Sequence, residues 1–110
     1  QVFTFNMQYR SYLSILYVYI RVPGLIDSSL QVNYLFDQLF GYKQHETLTW
    51  YHRACYKALK KDKAGALECL EKSLQLGFGS YYQVKYDRDL DLIRSLPEFK
   101  ELMRKYFPPG

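Results

Sequence analysis

The stretch Trp50-Tyr51-His52-Arg53-Ala54-Cys55-Tyr56, the turn at Lys61-Asp62, and the run Ala66-Leu67-Glu68-Cys69-Leu70-Glu71-Lys72-Ser73-Leu74 decide how the 110-residue chain is read. Leu48, Tyr51, Cys55, Ala58 and Leu59 recur at three and four residues, the period of one helical face, and predict a helix over residues 45–60. Ala66, Leu67, Leu70, Ser73 and Leu74 do the same for a second helix that ends at Gly77. The turn between them is short, so the two helices are antiparallel neighbours. The densest basic knot, Lys57, Lys60, Lys61 and Lys63, falls where the first helix ends, and the helix dipole favours cations there.

The same reading extends in both directions. Upstream, Leu13, Leu16 and Ile20, with Tyr9, Tyr12 and Ile15 widening the stripe, predict a helix over residues 7–21, stopped by Pro23-Gly24. Ile15–Ile20 is also β-branched and aromatic enough to read as a buried strand, but its length favours the helix. Residues 1–5 read as an extended lead-in. Asp27 or Ser28 offers an N-cap oxygen to the next helix. That helix carries its apolar face on Leu30, Val32, Tyr34, Leu35, Phe36, Leu39 and Phe40, and Gly41 supplies a left-handed stop. Downstream, Ser80 caps a turn holding Tyr81, Tyr82 and Val84, and Asp87 opens a short helix with Leu90 and Ile93. Ser95-Leu96-Pro97-Glu98 has the form of a capping box before a last helix with Phe99, Leu102, Met103 and Tyr106. The expected fold class is all-α: one domain of stacked antiparallel helical hairpins, divided as 1–44, 45–77 and a capping segment 78–110.

Composition agrees with a globular domain. Hydrophobic residues make up 48% and charged residues 24%, and no apolar run is long enough to span a bilayer, so no membrane partner is expected. The net charge of +4 lies wholly in residues 48–110, because residues 1–47 hold three basic and three acidic side chains. A nucleic-acid reading needs a basic patch along one face with aromatics beside it; the knot sits instead where a helix ends, so it reads as a solvated helix end, and nucleic acid is a weak alternative partner. Cys55 and Cys69 define no disulfide framework and are expected as free, buried thiols.

Three constellations invite chemistry. Asp87-x-Asp89-x-Asp91 with Glu98 in the twelfth place has the acidic spacing of an EF-hand loop, but Leu92 stands where the sharp turn requires Gly. His52 and Cys55 share a helical face, as a thiolate–imidazole pair would, without a visible orienting group or anion hole. Adding His45 and Cys69 gives four zinc-type side chains at a spacing that matches no usual pattern. Capping, packing and solvation account for all three, so no cofactor, metal or catalytic residue is expected.

Taken in order, these residues resemble a tetratricopeptide repeat followed by the closing segment seen in many bacterial members of that family. Ala54, Ala66 and Ser73 match its small positions, Leu70 the large apolar one, Trp50 the early aromatic and Asp62 the turn residue. Two helices 8–10 Å apart touch only where side chains are short, which is the physical reason for the small positions. Asp87 to Arg94 and Pro97-Glu98-Phe99 match the closing segment, and the likeness covers residues 48–106. Arg53 and Lys57 depart from it where the repeat has large apolar side chains, and Lys61 replaces a frequent turn glycine. The resemblance implies a stacked array, part of a longer chain or completed by a second copy, that binds protein without catalysis. It also implies that Leu48, Tyr51, Cys55, Ala58 and Leu59 form the concave, peptide-holding face, with cover by the first hairpin as the alternative for this chain. The alternatives are an accessory helical domain of an upstream enzyme, or a nucleic-acid binder using the basic knot.

Overall fold

The computed structural model describes residues 2–22, 24–25 and 28–109, with side chains from Met7 onward. The described residues form α1 (Val2–Arg21), α2 (Ser29–Phe40), α3 (Glu46–Leu59), α4 (Lys63–Gln75), α5 (Tyr81–Tyr86), α6 (Asp91–Arg94) and α7 (Pro97–Tyr106). Single 3₁₀ turns lead into α3 (Lys43–His45) and α6 (Arg88–Leu90). The chain is all-helical, with no strand among the described residues. Its extents of 39 × 35 × 18 Å make it a slab about two helix diameters thick.

α3 and α4 are the closest pair. Ala54, Ala66 and Ser73 are all fully buried, and the Ser73 hydroxyl donates to the Thr47 carbonyl at 2.8 Å. That bond ties the end of α4 to the start of α3, which makes the pair antiparallel. Asp62 caps α4 by accepting the Gly65 N–H at 2.9 Å, and a Cβ on residue 65 would run into that carboxylate. Lys61 holds the turn with φ +66°, the left-handed backbone that glycine adopts freely. The two departures on α3 find partners of their own. Arg53 lies 4.9 Å over the Phe36 ring, and Lys57 pairs with Asp62 at 3.7 Å.

Two apolar clusters meet along α3. The larger joins α3 and α4 to Val84, Leu90, Ile93 and Phe99 of the C-terminal elements. The smaller sets Tyr9, Leu16 and Ile20 of α1 against α2, with Tyr56 of α3 closing it. These positions on α1 repeat at helical spacing, and helix, not strand, is what Ile15–Ile20 adopts.

Several local expectations change. Helix begins at Val2, so residues 2–5 are no extended lead-in. Gly24 has φ +89° as the chain leaves α1, while Pro23 lies outside the described residues. Ser28 precedes α2 without a side-chain cap bond, and Asp27 lies outside the described residues. Gly41 is right-handed at φ −66°, because the chain runs at once into the 3₁₀ turn without reversing. Ser80 and Asp87 cap as expected, accepting from the N–H of Gln83 and Asp89. Ser95 does not cap. It ends α6 in helical geometry, and Leu96 occupies the N-cap of α7 with Pro97 in its first turn. Chain continuity from α6 has taken the residue that the capping-box spacing assigned to α7.

Candidate functional site

A polar junction forms where α1, α3 and residues 87–94 meet. The Tyr17 hydroxyl and His52 Nδ1 share a hydrogen bond 2.5 Å long. One turn further along α1, Arg21 makes two parallel bonds to Asp89, each 2.8 Å. Tyr51 donates to Asp87 Oδ2 at 2.7 Å, and the Cys55 thiol points at the same oxygen from 3.9 Å. The extended backbone of Asp87 ends α5 and turns its carboxylate toward α3. Its own carbonyl accepts from Arg94 Nη2 at 2.5 Å.

The electrostatics of this junction oppose nucleophilic chemistry. Burial, and then the charges of Asp87 and Asp89, push the Cys55 thiol up, so its reactive thiolate is disfavoured. Burial pulls His52 down to about 4 and keeps the ring neutral near pH 7, against the opposing pull of Asp87 and Asp89. His52 Nδ1 is engaged with Tyr17, and the Cys55 sulfur faces a carboxylate. Burial likewise raises the phenols of Tyr17 and Tyr51.

Cys55, Asp87 and Asp89 place their ligand atoms within 4.8 Å of one another. Asp89 is already neutralised by Arg21, and Asp87 accepts from Tyr51 and from the Asp89 N–H, so a cation there would face a resident guanidinium. The EF-hand spacing is not a loop: Asp91 pairs with Arg94, while Leu90 and Ile93 are fully buried. The four zinc-type side chains are dispersed. His45 packs on Tyr9 at 4.4 Å between ring centroids, and Cys69 lies in the larger core. The junction is a fastening between the first hairpin and the C-terminal elements, joined on the α3 side by Tyr9 bonding Thr49 at 2.9 Å.

The residues of the expected concave face lie inside the chain. Tyr51, Cys55 and Ala58 are buried in the larger core, and Leu48 and Leu59 are half-buried against the first hairpin. The open apolar surface is elsewhere. A groove of about 400 Å³ runs between α1 and α2, walled by Tyr12, Ile15 and Tyr19 on one side and Leu30, Tyr34 and Leu35 on the other. Leu30 is 81% exposed and Tyr34 57%. The sequence reading placed Ile15, Leu30 and Tyr34 on core-facing stripes. Its missed signal was width: an apolar arc broader than one neighbouring helix can cover leaves its margin in water.

Comparison with protein-family models, with curated proteins and with solved structures finds no match to this chain.

Proposed function

We propose that the chain is a non-catalytic protein-interaction module of the tetratricopeptide type, whose docking face is the outer side of the α1–α2 hairpin and whose occupant is a second copy of the chain. The observation that carries this reading is the uncharged apolar strip on α1. Met7, Ile15, Val18 and Val22 fall within about 80° of arc at 3.6 residues per turn, and all four are exposed. Ser11 lies within that arc and Ser14 at its edge, and Leu30 and Tyr34 of α2 continue the face. Together these six apolar side chains expose on the order of 600 Å², against about 800 Å² that each partner buries in a standard interface. A hairpin face set against its own copy by a two-fold axis makes a four-helix bundle; the α1 strip brings no charge under cover, and on α2 the exposed Asp37, two turns beyond Leu30, stays solvated only at the rim of such a contact.

The family likeness supports the same reading, since a helical repeat needs a neighbour on its apolar face. Sedimentation equilibrium tests it. The chain should dimerise at about 100 μM, and Val18→Glu with Leu30→Glu should make it monomeric without loss of helical circular dichroism. A wild-type monomer at that concentration, or a dimer indifferent to both substitutions, overturns the reading.

A further inference from the structure

The C-terminal elements separate their charges in a way that selects a ligand. Asp87 and Asp89 turn inward to Tyr51 and Arg21, Asp91 pairs with Arg94, and Glu101 with Arg104. Lys85 on α5 and Lys100 on α7 are exposed, and neither has a carboxylate partner among the described residues; Lys85 lies over the rings of Tyr81 and Tyr86, at 5.4 and 5.6 Å, which leaves its charge in place. Between them lies a hollow of about 230 Å³ whose apolar lining is Tyr81, Phe99 and Met103. Tyr81 and Met103 also line an adjoining hollow of about 560 Å³, continued by Arg104, Phe107 and Pro108. No carboxylate lines either hollow. At 100° per residue, Lys100, Met103 and Arg104 share one flank of α7, and Glu98 falls on the other.

We infer that this trough between α5 and α7 binds a short acidic peptide segment of another protein, with one apolar side chain seated on Phe99 and Met103 and flanking carboxylates on Lys85 and Lys100. Charge complementarity chooses the occupant: an apolar floor flanked by Lys85 and Lys100, with Arg94 also in the lining and no carboxylate there, fits an apolar residue between acids. The inner hollow of about 230 Å³ is of a size for one apolar side chain, and the adjoining hollow leaves room for the chain that carries it. Two lysines without a carboxylate partner, beside two arginines already paired with Asp91 and Glu101, are few for a nucleic-acid backbone, whose affinity grows with each phosphate neutralised. The surface lies apart from the α1–α2 face and does not depend on dimerisation.

Fluorescence anisotropy with a labelled decapeptide, two leucines flanked by glutamates, tests the inference. Binding should saturate below about 1 mM and weaken at least tenfold when the leucines become serine or the glutamates glutamine. Lys85→Glu with Lys100→Glu should abolish it, Arg88→Glu should leave it unchanged, and Val18→Glu with Leu30→Glu should leave it unchanged as well. That last arm separates failure of this surface from failure of the dimer. No saturation, equal affinity for the serine peptide, or tighter binding of a dT15 oligonucleotide displaced by Lys85→Glu would each overturn it.

Discussion

α3 is held on its two sides by different physics. Against α4 the contact is steric: Ala54, Ala66 and Ser73 are fully buried, and short side chains let the backbones close. Against α1 the contact is carried by long polar side chains, with Tyr17 on His52, Tyr9 on Thr49 and, just beyond, Arg21 on Asp89. A steric seam depends on volume and is indifferent to pH. A seam of buried titratable groups depends on which of them carry charge. The first hairpin is therefore the part of the molecule whose attachment the solution conditions can change.

The largest expected effect breaks the polar seam by pH. His52 titrates at about 4 in the folded chain against an ordinary 6.5, because burial disfavours its charged form. Between those values the unfolded chain binds a proton that the folded chain refuses, so stability falls as pH drops from 6.5 to 4 and levels off below. The difference amounts to about 3 kcal/mol. Urea unfolding across that window should show the slope, and His52→Gln should flatten it while other acid-sensitive groups remain.

Next comes the steric seam. Ala66→Leu should cost about 1–3 kcal/mol by overpacking, with the same loss at pH 5 and pH 7. A mild effect, or one that varied with pH, would erase the distinction between the two seams. Tyr17→Phe should cost about 1–2 kcal/mol at pH 7, since it leaves His52 Nδ1 buried without its partner. It should also speed proteolytic cleavage between α1 and α2 more than Ala66→Leu does. The smallest change is a gain. Lys61→Gly relieves the left-handed turn and should stabilise by about 0.5–1 kcal/mol, the relief being partly offset by the freedom that glycine adds to the unfolded chain. A rise in Tm of a few degrees is the readout.

The α3–α4 pair was legible in the sequence because each of its determinants is local: a 3.6-residue period, a short turn and short side chains at fixed offsets. Ser80 and Asp87 were legible as caps for the same reason, since a cap acts on amides two or three residues away. Ser95 misled because two helices compete for one residue, and spacing does not reveal which has it. The candidate surfaces were hardly legible. Ile15, Leu30 and Tyr34 look like core residues on a helical wheel, and whether a neighbour covers them depends on how the hairpins are set. Asp87 and Asp89 looked like solvated or capping carboxylates. Their inward turn toward Tyr51 and Arg21 spans 36 and 68 residues of sequence.

What the sequence alone determined is the set of helices, most of their limits and the tight pairing at Lys61-Asp62, because periodicity, caps and side-chain volume act within a turn or two of the chain. Tertiary structure alone decided which apolar arcs stay in water, which carboxylates are neutralised, and which lysines beside the trough have no carboxylate partner among the described residues. Those outcomes depend on contacts between segments far apart in sequence, and an apolar stripe or a lone acid carries no record of what will face it.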